Sequence, residues 1–269
     1  MLEMKQYVVV DSRDRDMALF PDPGQYTYRL PQTFHHVVGA RLMTAEIPTS
    51  FYVFTAARGN TSMTFILNGV TRVVTIPDGN YGYGSMAQVL QEALEAAFAD
   101  TAFVVTISTT NLKLSVSTGS VTDVLGVDTT GPQASAAPLQ WGLSWYLGFH
   151  RNVVESAAGT LVSPRVVCCN PELYMLLDIK ELSDVQEAGV YGAGGTQGPT
   201  FAKIPLSVQS FEYAFFDKQI TANVLQPPLA RLNELHISFR FHDGTPVVFQ
   251  GVEHAFTVEL DCSTERSTW

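Results

Sequence analysis

At 269 residues the chain is long enough for one large β domain or two smaller ones, since single cores stop growing at roughly 250–300 residues. Only 16% of the residues are charged and 46% are hydrophobic, against roughly 25% charged in an average soluble domain, so part of the surface is a candidate for burial against neighbours. The formal net charge of −10, with no local Lys/Arg run to offset it, argues against direct nucleic-acid binding, and no apolar run approaches the roughly 18 residues of a membrane span.

The opening Met1 to Gln6 lacks a basic segment followed by an apolar one, so no secretory leader is expected. Tyr7 to Val10 reads as a short strand that runs into the charged turn Asp11 to Asp16 and the turn Pro21-Asp-Pro-Gly24, so residues 1–24 are expected to form an N-terminal arm. Gln25 to Leu30 and Val37 to Ile47 read as two strands, the second stopped by Pro48.

The texture changes near Asn60. Thr64 to Leu67 and Arg72 to Ile76 flank Asn68-Gly69, the pair suited to a type I′ hairpin because both central residues need positive φ. Met86, Val89, Leu90, Ala93, Leu94, Ala97 and Phe98 then recur on one face of a helix, with Ser85 and Gln88 spaced as a capping box. Ala102 to Ser108 and Lys113 to Ser117 supply a second hairpin, which makes residues 61–120 a β-β-α-β-β module. Residues 128–140 read as a surface loop, and the aromatic segment Trp141 to Phe149 closes the module.

Beyond Pro171 strands return: Leu173 to Leu182, Phe201 to Leu206, Val247 to Phe249 and Ala255 to Leu260, with a flexible loop at Gly189 to Gly195. The strongest pattern is Leu235, Ile237, Phe239 and Phe241 alternating with His236, Ser238, Arg240 and His242, one face for the core and one for water or a partner. The predicted fold is mainly β: a single antiparallel jelly-roll sandwich formed by residues 25–60 and 150–269, interrupted by an inserted α+β module at 61–149 with one amphipathic helix.

The search for chemistry returns no catalytic set. No G-x-S-x-G elbow is present, and Gly192-Ala-Gly-Gly195 lacks the strand-to-helix setting and Lys-Ser/Thr ending of a phosphate loop. Cys168, Cys169 and Cys262 form no C-x-x-C pair and are expected to be reduced and structural. His35 and His36 point to opposite faces of a strand, so they cannot chelate one ion together, and Glu253-His254 is the best remaining acid–imidazole pair. No cofactor and no metal are expected. The alternating charges of Asp11, Arg13 and Arg15 suit a solvated turn or an arm that docks on a neighbouring subunit, and Trp141, Trp145, Tyr146 and Phe149 suit a core plug or a stacking surface.

Three groups of segments resemble the jelly-roll penton and minor capsid proteins of nucleocytoplasmic large DNA viruses. The first is Val8-Val-Val-Asp-Ser-Arg-Asp-Arg-Asp16 with Tyr26-Thr-Tyr-Arg-Leu30 and Ala45-Glu-Ile-Pro-Thr-Ser-Phe-Tyr52. The second is Thr75-Ile-Pro-Asp-Gly-Asn-Tyr81, leading into the helix and ending in Tyr146-Leu-Gly-Phe149. The third comprises Tyr174 to Leu182, Phe201 to Leu206, Pro227 to Leu232 and Asp243-Gly244 to Leu260.

The resemblance implies a structural virion component and no enzyme. Its partners would be the major capsid protein and other capsid subunits, and as a penton it would form a homopentamer at the fivefold vertex. A minor capsid protein beneath the facets and a carbohydrate- or receptor-binding β-sandwich are the alternative readings.

Overall fold

A computed structural model describes residues 3–99, 101–129, 142–150, 154–183, 200–206, 211–217 and 223–263. In chain order the elements are β1 (Glu3–Asp11), β2 (Gln25–Pro48), β3 (Ser62–Leu67), β4 (Val70–Thr75), α1 (Tyr83–Ala97), β5 (Val104–Ile107), β6 (Leu114–Ser117) and β7 (Val124–Asp128). There follow α2 (Leu143–Tyr146), β8 (Val154–Ala157), β9 (Thr160–Val162), β10 (Tyr174–Ile179), β11 (Ala202–Pro205), β12 (Tyr213–Phe216), β13 (Asn223–Arg240) and β14 (Ala255–Ser263). They divide into two compact units, residues 1–51 with 172–269, and residues 52–171.

The first unit is built on one antiparallel sheet in the order β1-β14-β2-β13-β10-β11, with β12 also paired to β2. The two strands expected at 25–30 and 37–47 are one strand of 24 residues. The interruption is local: His36 adopts φ 51°, and the register slips opposite β13 and β14 keep the ladder running. The first half of β2 pairs with β13 and the second half with β14 and β12, so the sheet curls on itself. Tyr26, from the first half, packs its ring 5.7 Å from that of His254, which lies 6.0 Å from Phe256 on β14. Facing residues from distant stretches thus share one core, the arrangement of a mainly β jelly roll.

The alternation expected from Leu235 to Phe241 is present: all four apolar members are buried, while the histidines at 236 and 242 are partly open to solvent. Val8, Val10, Phe256, Val258 and Leu260 complete the inward face of β1 and β14. The expected arm is different: Glu3–Asp11 is a full edge strand paired with β14 from Glu3↔Ser263 to Asp11↔Ala255. The expected strand at Val247–Phe249 is also absent. The Asp243-Gly244 turn returns the chain too tightly for a ladder; Pro246 makes one bridge to Arg240, and the Val247 amide donates to the Phe239 carbonyl at 2.9 Å.

In the second unit β3 and β4 form the expected hairpin, with Asn68 at φ 49° and Gly69 at φ 77°, as a type I′ turn requires. β5 and β6 form the other expected hairpin. The helix begins at Tyr83, three residues before the start at Met86 that the capping box implied. Gly82 is its N-cap, the Ser85 hydroxyl donates to the Gly82 carbonyl at 3.1 Å, and Gln88 donates to Glu92 instead of returning to the cap. Met86, Leu90, Leu94 and Phe98 form its buried face, and Phe65, Phe98 and Phe103 meet edge-on or tilted at about 6 Å.

Three strands in this unit lack a strong sequence signal. β7 pairs with β3, β8 with β7, and β9 with β6, giving two small sheets, β4-β3-β7-β8 and β5-β6-β9. These pairings carry the unit past residue 149. At its other end the Asn60 side-chain amide donates to the Val53 carbonyl at 2.8 Å, and its oxygen accepts from the Thr55 amide at 2.8 Å. Residues 52–60 therefore belong with this unit, whose borders lie outside the 61–149 segment read from sequence texture.

Candidate interaction surface

The charged turn after β1 separates into an outer pair and an inner one. Asp11 and Arg13 form a local ion pair at the surface, and the guanidinium holds the Asp11 carboxyl below its ordinary range despite some desolvation. Arg15 turns inward. Its guanidinium donates to the Glu253 carboxylate at 2.5 Å and to the carbonyls of Ser12, Phe20 and Pro21 at 2.6, 2.7 and 3.0 Å. Burial would raise the Glu253 pKa, but the Ser12 hydroxyl and Arg15 hold it below the usual value.

Arg15 therefore fixes the turn to the segment before β14 and is spent within its own unit. Arg15→Met keeps the volume but leaves those acceptors without their donor, for an expected loss of about 2 kcal/mol in urea denaturation. Arg13→Met, at the exposed pair, is expected to leave the urea midpoint essentially unchanged. Equal losses at the two positions would refute this division of roles.

The aromatic segment is mostly interior. Phe149 and Tyr146 are buried, the Tyr146 ring standing edge-on to Phe54 at 5.3 Å, while Trp145 is half-buried beside His150. Trp141 and the Gly192 to Gly195 segment lie outside the described residues. The surroundings of Tyr146 and Phe149 are those of a core plug.

The other candidate groups are scattered. His236 binds Glu181 at 2.5 Å and His242 lies 3.7 Å from Glu172, so the two imidazoles serve different carboxylates. Glu253 and His254 diverge: the carboxylate goes to Ser12 and Arg15, whereas the imidazole enters an aromatic cage of Phe239, Phe249, Phe256 and Tyr26. A groove of about 650 Å³ lies beside Phe20 and Arg240, but the Arg240 guanidinium is taken up by Asp178 at 2.5 Å and Thr200 at 2.5 Å. Among the described residues no group of three metal-ligating side chains is assembled, and no helix is long and apolar enough to cross a membrane.

What stands out instead is an outward sheet face with exposed apolar side chains at both sides. On β1, Tyr7 and Val9 are 60% and 63% exposed, and Met4 is exposed beside them. Tyr7 faces Glu259, a buried carboxylate held by Lys5 at 2.6 Å and by Arg41; these donors and Tyr7 keep it ionised against its desolvation. On β12, Phe215 is 74% exposed, with Tyr213 and Phe211 exposed nearby. The sequence reading passed over Phe211-Glu-Tyr-Ala-Phe-Phe216, although its alternation around Ala214 is a strand signal. Large apolar side chains kept in water on a sheet otherwise well packed make this face the candidate surface for association.

Residues 3–123 match a family of unknown function (DUF5901). Over 120 residues, 42% of this chain, the sequence is 29% identical to the penton capsid protein P1 of Paramecium bursaria Chlorella virus 1, and the match spans 66% of that relative's length. Among solved structures, the mavirus penton protein superimposes with a TM-score of 0.57 at 9% identity, covering 96% of this chain and 99% of that one. A chain of the Sputnik virophage particle aligns with a TM-score of 0.46 at 10% identity, covering 96% and 97%. The mavirus likeness is one of fold.

Proposed function

We propose that this protein is a penton subunit of a large icosahedral DNA virus, a structural component of the virion shell that acts through contacts between subunits. The observation that carries the reading is the 29% identity over 120 residues to a penton capsid protein of a large algal virus. The curled antiparallel sheet, shared in fold with another penton protein across nearly the whole chain, is consistent with it. The lean charge and the exposed apolar side chains of β1 and β12 supply the kind of surface such a subunit needs.

In this role the protein performs no chemical reaction. The first unit would be the body of the shell subunit and contact the major capsid protein; residues 52–171 would be a module inserted in its sequence. A subunit carrying one jelly roll fits a ring of five, where each copy makes the same heterologous contact with the next. Localised reconstruction of the particle is expected to show five copies at every fivefold axis. Density for the chain only beneath the flat facets would overturn the penton assignment and establish the minor-capsid alternative.

A further inference from the structure

We infer that residues 12–23 form an acid-released strap, a segment that lets go of its own sheet as His254 takes up a proton while the strands beneath stay folded. The inference goes beyond the penton reading and does not depend on it.

The strap leaves β1 after Asp11 and ends just before β2 begins at Gln25. Between Ser12 and Pro21 the buried side chains are Ser12 and Arg15 alone, Phe20 is partly covered, and Met17 and Leu19 are 51% and 71% exposed. Apolar burial therefore contributes little to holding this stretch down.

Its attachment is polar and converges on two residues. The Ser12 amide donates to the His254 carbonyl at 3.0 Å, and the Ser12 hydroxyl accepts from the His254 amide at 2.9 Å. The same hydroxyl and Arg15 both donate to the Glu253 carboxylate at 2.5 Å. At the far end the Pro23 carbonyl accepts from His254 Nε2 at 3.0 Å, and Asp22 adds one long bond from the Phe249 amide at 3.4 Å. The bonds of Asp16, Leu19, Phe20 and Pro21 stay within the strap. Beyond it the backbone is fixed again: the Gly24 carbonyl accepts from the Phe239 amide at 2.9 Å, and a Cβ on Gly24 would meet the Val247 carbonyl at 2.1 Å.

A proton on His254 works against the closed position. Its Nδ1 has no hydrogen-bond partner among the described residues, so a cation would carry a second N–H with nothing to accept it, beside Phe239, Phe249, Phe256 and Tyr26. Of the charged groups around it, Asp11 at the end of β1 and Glu253 before β14 favour the cation and Arg15 on the strap opposes it; desolvation outweighs them and holds the pKa at about 4. The Tyr26 hydroxyl on β2 stays neutral, its pKa raised by burial.

Lifting the strap withdraws the Pro23 carbonyl and opens that end of the ring to water, which returns the pKa toward 6.5. The open strap thus binds a proton that the closed one refuses, and opening becomes easier as pH falls from 6.5 to about 4. Glu253, held below its ordinary range, is still ionised at pH 5, so its tie to Arg15 is not what gives way there. Leu19, Phe20 and Pro21 are one wall of the groove over Ser238 and Arg240, and release removes that wall.

Residue-resolved hydrogen exchange on the full chain, corrected for the intrinsic rate, tests the strap. The Ser12 amide is expected to lose about twentyfold in protection between pH 7 and pH 5, and at both values to exchange far faster than the ladder amides of β13 and β14. His254→Gln, which keeps a donor for Pro23 and does not titrate, is expected to erase that loss. Ser12 exchanging in step with β13 and β14 would mean that the strap opens only with the sheet, and overturns the inference. A twentyfold loss persisting in His254→Gln overturns the role of the imidazole. Should that variant not fold, the onset in the unsubstituted chain decides: a fall beginning near pH 6.5 supports His254, and one confined below pH 4.5 assigns the release to carboxylates and overturns it.

Discussion

Phe239→Ala is expected to cost about 4 kcal/mol and to lower the melting temperature by roughly 10 °C, the largest effect of any single truncation considered. Phe239 is buried at the centre of β13, with Phe249, His254 and Phe256 at ring distances of 5.3, 4.7 and 6.3 Å. Its backbone is fixed on both sides, the amide donating to Gly24 and the carbonyl accepting from Val247, each at 2.9 Å. The wall cannot collapse into the space that Ala would leave, so the cavity penalty adds to the lost transfer energy. Tyr7→Ala, at an exposed site on the same sheet, should change stability by no more than about 0.5 kcal/mol in the isolated chain. A Phe239→Ala loss below about 1.5 kcal/mol in chemical denaturation would mean that the aromatic cluster is not the core of the unit.

The second large effect is with pH. His254 is buried in that same cluster; its Nε2–H donates to the Pro23 carbonyl at 3.0 Å, and Nδ1 has no hydrogen-bond partner among the described residues. Burial pushes its pKa down from 6.5 to about 4, outweighing the help a cation would receive from the Pro23 carbonyl and from Glu253 and Asp11, while Arg15 opposes it. The neutral ring is therefore favoured in the folded state.

In the window between 6.5 and about 4 the unfolded chain binds a proton that the folded one refuses, so stability falls as pH falls. The full loss is roughly 3 kcal/mol by the acid end of that window. Below the usual carboxylate range Glu253 and Glu259, both held low by their cationic partners, add losses of the same sign. Urea midpoints at pH 7, 5.5 and 4 should show a steady decline, and His254→Leu should flatten it above pH 4.5 while shifting the whole curve by a constant. An unchanged slope in that variant would rule His254 out as the source.

The parts that local pattern could reach were legible because they depend on period and turn chemistry. The inward set Leu235, Ile237, Phe239 and Phe241, the Asn68-Gly69 turn and the buried stripe of α1 each follow from residues within one element. Strand ends were less legible. The continuity of β2 depends on irregularities absorbed opposite β13 and β14, and Val247 to Phe249 has the residues of a strand but no ladder to join.

The charged run at Asp11 to Asp16 shows the same limit in side chains. Sequence cannot distinguish Arg13 from Arg15, since both alternate with aspartates; only the return of the chain at Glu253 makes one a surface ion pair and the other a buried anchor. His254 gave a plausible catalytic neighbour to Glu253 by adjacency alone. Successive strand-like residues point opposite ways, so adjacency in the chain became separation in space.

By itself, then, the sequence determined a β-rich chain with an α+β segment between two β stretches, because alternation and helical stripes are properties of contiguous residues. The tertiary structure alone decided that β1 pairs with a single strand among the described ones, that β12 flanks the same sheet, and that Tyr7, Val9 and Phe215 remain in water. Edge and exposure are relations between strands distant in the chain: β1 and β14 are joined from Glu3↔Ser263 to Asp11↔Ala255, and no local pattern records which strand will have no second neighbour.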